Sequence, residues 1–142
     1  MTYHGGAKDG KHYWLTPRDL YDALNGEFEF DFDPCPYPRP DDFDGLDIPW
    51  GQSNYVNPPF AGGITAWARK AIAEYKQGKK VVFVYPIDKW IHWFIEQGAE
   101  IRNLGDIRWL SIEKDMFGNN YAGKGTGRHI ACFILDPQKI KK

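Results

Sequence analysis

Apolar residues recur along this chain in two rhythms, one helical and one extended. Leu20, Tyr21 and Leu24 share one helical face behind Trp14-Leu15-Thr16-Pro17. The spacing predicts a helix with Thr16 as N-cap and Pro17 at its first position, closed by Asn25-Gly26. Phe28, Phe30 and Phe32 alternate with acids, the period of a strand. The proline-rich run from Pro34 to Pro40 suits neither helix nor sheet interior and reads as a loop. A short strand is expected at 53–57. Ile64, Trp67, Ala68, Ala71, Ile72 and Tyr75 mark a second helix, closed by Gly78 with Lys76, Lys79 and Lys80 near its C-terminal end. Val81–Tyr85 is continuously apolar, the mark of a buried parallel strand. Trp90, Trp93 and Phe94 suggest a short helix after Pro86. Strands are expected at 100–104, 107–112 and 130–135, with a polar Gly- and Asn-rich loop at 113–128.

Strands alternating with helices imply a three-layer α/β sheet. The last segments carry no helix between them, which implies antiparallel strands at the C-terminal end. Residues 1–13 read as a flexible arm and 14–142 as a single domain. No apolar run approaches the ~18 residues of a membrane span, and no signal-peptide core precedes Trp14. With Cys35 and Cys132 alone, no disulfide framework is expected, which suits a reducing cytoplasm. His4, His12, His92 and His129 show no zinc spacing with them, so no metal is expected. His92, Trp50 and Trp67 read as packing residues. Gly118 to Lys124 nearly matches a phosphate loop, but Gly125 stands where Ser or Thr is required.

The net charge of −1 argues against a uniformly basic nucleic-acid binder, but the charge is unevenly placed. Residues 27–47 hold eight acids against Arg39 alone, whereas 102–142 hold eight bases against four acids. A basic C-terminal third suits phosphates, and an acidic segment suits a cationic or polyol ligand.

The run with the most chemical content is Asn57-Pro58-Pro59-Phe60, at the end of an apolar strand. The lone pair of a nucleobase amine is delocalised into its ring, so the nitrogen is a poor nucleophile. Two acceptors aimed at its protons draw it toward tetrahedral geometry. The Asn57 side-chain oxygen and the Pro58 carbonyl are candidates, with Pro58 and Pro59 holding the backbone rigid. Phe60 offers a face on which an extruded base can stack. Adenine N6, cytosine N4 and other planar amines share this electronic problem. The carboxylates Asp31, Asp33, Asp41, Asp42 and Asp44 also suit a magnesium-dependent nuclease. A non-catalytic DNA- or cofactor-binding domain is a further alternative.

From Trp14 to Leu135 the chain resembles the small phage-type DNA N6-adenine methyltransferases. The resemblance rests on Trp14-x-Thr16-Pro17, Phe30-Asp31-Phe32-Asp33-Pro34-Cys35, Asp44-Gly45-Leu46 with Trp50, Asn57-Pro58-Pro59-Phe60 with Trp67, Lys70 and Ala71, and the Val81–Pro86 strand, in that order. It implies a Rossmann-like methyltransferase fold with a mixed, mostly parallel sheet flanked by helices, S-adenosylmethionine as cofactor, DNA as partner, a cytoplasmic setting and a role in marking phage DNA against restriction. It places Thr16, Pro17, Asp31, Asp33, Pro34, Asp44, Gly45, Leu46 and Asn57 around the cofactor. In particular, Asp33 would approach its ammonium and Asp44 its adenine amine. Asn57, Pro58, Pro59 and Phe60 would grip the target base. Lys89, Lys114, Asn119, Asn120, Lys124 and Arg128 are candidate DNA contacts. Unlike the family's usual glycine-rich turn after the first strand, this chain has Pro34-Cys35-Pro36, and Asp41 or Asp42 is left to hold the ribose.

Overall fold

A computed structural model of the chain describes residues 14–36, 41–58, 63–86, 91–105, 110–114, 120–122 and 130–138. Its elements, in chain order, are β1 (Trp14–Leu15), α1 (Arg18–Phe28), β2 (Ser53–Val56), α2 (Ile64–Lys76), β3 (Lys80–Pro86), α3 (His92–Glu96), β4 (Glu100–Gly105), β5 (Leu110–Lys114), β6 (Asn120–Ala122) and β7 (Ile130–Leu135).

The main sheet has the order β2-β3-β7-β4. β3 lies parallel to β2 and antiparallel to β7, and β7 lies antiparallel to β4. The sheet is therefore mixed, as expected, with antiparallel pairing on the C-terminal β7 side, although parallel pairs do not predominate. β1, β5 and β6 form a separate antiparallel sheet in the order β1-β5-β6. Part of the expected 113–128 loop is thus strand.

Alternation along β3 divides the core. Val81, Phe83 and Tyr85 pack with Trp67, Ala68, Ala71 and Phe94 from α2 and α3. Val82 and Val84 pack with Leu24 and Phe28 from α1 and with Tyr55, Ile130, Cys132 and Ile134. Helices thus cover both faces, as the three-layer reading expects. Trp50 and Trp67 are buried, as expected of core residues. His92 is exposed at the surface, and its ring packs edge-on against Trp93 at 5.7 Å. Both cysteines are free and buried.

Three boundaries differ from the sequence pattern. Pro17, not Thr16, occupies the N-cap of α1, and no side chain caps that end. Thr16 instead bonds to Tyr55. Asn25-Gly26 does not end the helix, because Phe28 one turn beyond Leu24 is buried with it. Burying a Phe is worth about 1.5–3 kcal/mol, against about 1 kcal/mol for an interior Gly. The helix closes at Glu29, in the left-handed region at φ 51°, where its N–H donates to the Asn25 carbonyl at 2.8 Å. The Asn25 side chain then accepts from the Phe30 N–H at 2.9 Å.

The expected Phe28–Phe32 strand contracts to one parallel bridge, Phe32 with Asn54. The Asp31 and Phe32 N–H groups both donate to the Ser53 carbonyl, at 2.8 and 3.2 Å, so the ladder is bulged. The Asp31 carboxylate accepts from the N–H groups of Gln52 and Ser53, at 3.3 and 3.2 Å. Gly51 permits this approach, since a Cβ there would lie 2.2 Å from Asp31 Oδ1 and 2.8 Å from Phe32 Cβ. We expect Gly51→Ala to lower stability by about 1–3 kcal/mol through this overlap. Chemical denaturation checks it, and an unchanged midpoint would show that the Phe32 segment yields freely.

Candidate active site

Parallel pairing decides where the reactive residues gather. The Phe32 segment, β2 and β3 run in one direction, so their C-terminal ends share one edge of the sheet. Asp33 directly follows Phe32, and Asn57-Pro58 directly follow β2. In open α/β sheets this edge is where ligands bind.

Two short acidic turns meet there. Asp33 Oδ1 accepts from the Cys35 N–H at 2.8 Å, and Asp44 Oδ1 accepts from the Leu46 N–H at 2.9 Å. Both are side-chain-closed turns in which the carboxylate bonds its own backbone two residues on. The turns are in contact, since a Cβ on Gly45 would lie 2.0 Å from the Pro34 carbonyl oxygen. Only glycine permits that approach.

The two turns are electrostatically unusual. Asp44 is 2% exposed. Burial pushes the Asp33 carboxyl up from its usual 3.8 to about 6, although the Cys35 N–H pulls the other way. The Cys35 thiol is driven well up, by burial first and then by the charges of Asp33 and Asp44. Both carboxylates therefore act on one buried point. A shielded acid pair of this kind suits a cationic ligand bearing amine or hydroxyl donors.

Tyr55, in β2 two residues before Asn57, closes the other side. Its hydroxyl and Thr16 Oγ1 are 2.5 Å apart. Burial drives the Tyr55 pKa up, the Thr16 bond opposes this, and the Asp33 charge adds to it. Tyr21 meets the Tyr55 ring edge-on at 5.1 Å. Thr16 and Pro17 are thereby held beside the Asp33 turn.

Asn57 is half-buried with its side-chain oxygen shielded, and Pro58 is buried. Asn57, Pro58, Asp33, Pro34, Asp44, Gly45, Leu46, Thr16 and Pro17 therefore belong to one region. Asp31 and Asp33 part company: Asp31 is exposed and occupied with the start of β2. Asp41 and Asp42 are exposed, Asp42 at φ 58°. Lys114 and Asn120 are direct register partners across β5 and β6. Pro59, Phe60, Lys89, Asn119, Lys124 and Arg128 lie outside the described residues. Among the described residues, no three His, Cys, Asp or Glu side chains form a group that could hold a metal ion. No described helix is long and apolar enough to cross a membrane.

Sequence reasoning passed over Tyr55 and Glu74. Tyr55 was hidden as one more apolar residue of a strand. Glu74 had a signal: it stands on the buried face of α2, seven residues after Trp67, with Lys70 and Lys79 in reach.

A family model described as DNA N-6-adenine-methyltransferase (Dam) matches residues 6–135. No curated protein matches the chain.

The raised Asp33 carboxyl has a consequence for stability. Its folded value lies above its unfolded one, so ionisation penalises the folded state. The penalty begins above about pH 4 and reaches full size above about pH 6. A shift from 3.8 to about 6 corresponds to roughly 2–3 kcal/mol. Asp33→Asn, which keeps an acceptor for the Cys35 N–H, should raise the melting temperature of the ligand-free protein at pH 7 and leave it unchanged near pH 3. A lower melting temperature at pH 7 would refute the burial argument.

Proposed function

The chain belongs to the DNA N-6-adenine-methyltransferase (Dam) family, which methylates adenine N6 in DNA, and from that premise we propose how its residues divide the work. The observation that carries the reading is the convergence of Asn57-Pro58 with the Asp33 and Asp44 turns at one edge of the sheet. The Phe32–β2–β3 run with α2 between β2 and β3 supports a Rossmann-like methyltransferase fold, which we read as a single domain over residues 14–142.

S-adenosylmethionine is the proposed cofactor, and when bound it supplies an activated methyl group on a sulfonium. The residues present fit it: a shielded acid pair faces a ligand that carries an ammonium, a sulfonium and an adenine amine. Asp33 would receive the ammonium and Asp44 the adenine amine, while Thr16, Pro17, Pro34, Gly45 and Leu46 would shape the cradle. Asp31 serves this site indirectly, through β2.

Asn57 Oδ1 and the Pro58 carbonyl accept the two protons of the target amine. This localises the nitrogen lone pair and aims it at the methyl carbon. Methyl transfer from the bound cofactor to the amine so held would then leave an acidic amine whose surplus proton would pass to solvent. The fixed φ of proline keeps both acceptors from reorganising during the step. Phe60 stacks the flipped adenine, and Pro59 stiffens its approach. Lys114 and Asn120, paired across the β5–β6 hairpin, join Lys89, Asn119, Lys124 and Arg128 in holding DNA. On this reading the protein works where DNA is, in the cytoplasm of its cell.

Asn57→Ala should cut turnover by about 100- to 1,000-fold, the size of losing one preorganised dipole, with cofactor affinity within twofold of the wild type. Single-turnover methylation and calorimetric titration check both halves, and retained activity would remove Asn57 from the amine. Asp33→Asn should bind S-adenosylmethionine at least tenfold more weakly. For the DNA side, Lys124→Ala with Arg128→Ala should weaken DNA binding and lower the salt-dependence slope by about two. An unchanged slope would take that segment out of the interface.

A further inference from the structure

We propose that Trp50, anchored by Glu74, is a positioning residue that locks the two acidic turns into a single cofactor cradle. This rests on the reading that Asp33 and Asp44 hold S-adenosylmethionine.

Residues 44–50 contain no helix or strand, so the Asp44 turn needs an external support. Its own bonds are local: the Leu46 N–H to Asp44 Oδ1 and the Asp47 N–H to the Asp44 carbonyl. The support comes from α2. Glu74 on that helix is 3% exposed, and its Oε1 accepts from the Trp50 N–H at 2.9 Å. Lys79 Nζ donates to the same oxygen at 2.6 Å, and Lys70 Nζ lies 3.1 Å from Oε2. Burial alone would raise the Glu74 pKa, but these three donors outweigh it and lower it. The acceptor is therefore a carboxylate, which binds an N–H more tightly than a neutral oxygen does.

Trp50 transmits that anchorage. Its indole Nε1 donates to the Gly45 carbonyl at 2.7 Å. The ring is 4% exposed, stacked 6.5 Å from Trp67 with Lys70 Nζ 6.0 Å from its centroid. Gly45 in turn presses on Pro34, next to Asp33. The sequence of contacts runs from α2 through Glu74, Trp50 and Gly45 to Pro34. It fixes Asp44 relative to Asp33 without any member of the lock touching the reacting atoms. A rigid spacing between two acids raises affinity for a ligand that must meet both, because the ordering is done before binding.

The test titrates the full chain with S-adenosylhomocysteine by calorimetry, well below the melting temperature, alongside steady-state kinetics. Trp50→Phe removes the indole N–H and keeps a ring. It should weaken binding about five- to tenfold and raise KM for S-adenosylmethionine to match. Its kcat at saturating cofactor and its KM for DNA should stay within twofold. Glu74→Gln, which keeps an acceptor for the Trp50 N–H, should retain most of the affinity, and Glu74→Ala should lose it as Trp50→Phe does. This graded pair stands in if Trp50→Phe does not fold. Wild-type affinity in Trp50→Phe, with weakened binding in Asp44→Asn, would overturn the lock and leave the cofactor assignment standing. Unchanged affinity in Asp44→Asn would overturn the assignment itself. A Trp50→Phe variant that loses kcat and DNA affinity in equal measure would show a merely structural residue, and so also overturn the lock.

Discussion

The structure depends on the burial of β3. Every residue from Val81 to Pro86 is shielded, so its backbone groups must be satisfied by neighbouring strands on both sides. β2 supplies one side in parallel and β7 the other in antiparallel register. The antiparallel side completes the sheet through β7 and β4. The parallel side has the functional consequence, because it brings the ends of the Phe32 segment and β2 to one edge. Asp33 and Asn57 are neighbours there for a reason of backbone pairing, although 23 residues of sequence separate their flanking positions Phe32 and Tyr55, whose backbones bond at 3.1 Å.

That edge is held against the protein's own stability. Asp44 is buried and Asp33 partly so, and burial pushes the Asp33 carboxyl up to about 6. Glu74 shows the contrasting case. It is as buried as Asp44, and Lys79, Lys70 and the Trp50 N–H satisfy it within the fold. One buried acid is paired internally and supports structure. On the proposed reading the other pair would take its cation from a ligand, which is how burial would separate a structural carboxylate from a binding one.

Much of this was legible in the sequence. The runs at 64–76, 81–85 and 130–135 follow their periods closely, because burial on both faces of the sheet leaves few other solutions. Asn57-Pro58 and the acids at 33 and 44 were visible as chemistry before any geometry was known. What failed were boundaries decided by tertiary contacts. Gly26 read as a stop, but burial of Phe28 carried α1 past it. Thr16 read as a cap, but the Tyr55 hydroxyl took it. The alternating phenylalanines read as one strand, although Phe28 belongs to a helix and only Phe32 bridges β2. No local pattern could announce that Gly45 meets Pro34, or that Trp50 spends its indole N–H on that glycine. Both facts arise from chain segments that meet only in the folded state.

The most direct test of this account is a crystal structure of the protein with S-adenosylhomocysteine. The account predicts the ligand's ammonium within hydrogen-bond distance of Asp33 and its adenine amine at Asp44, with the sulfur facing Asn57 and Pro58. A ligand bound away from both acidic turns, or with its sulfur pointing away from Asn57, would contradict it.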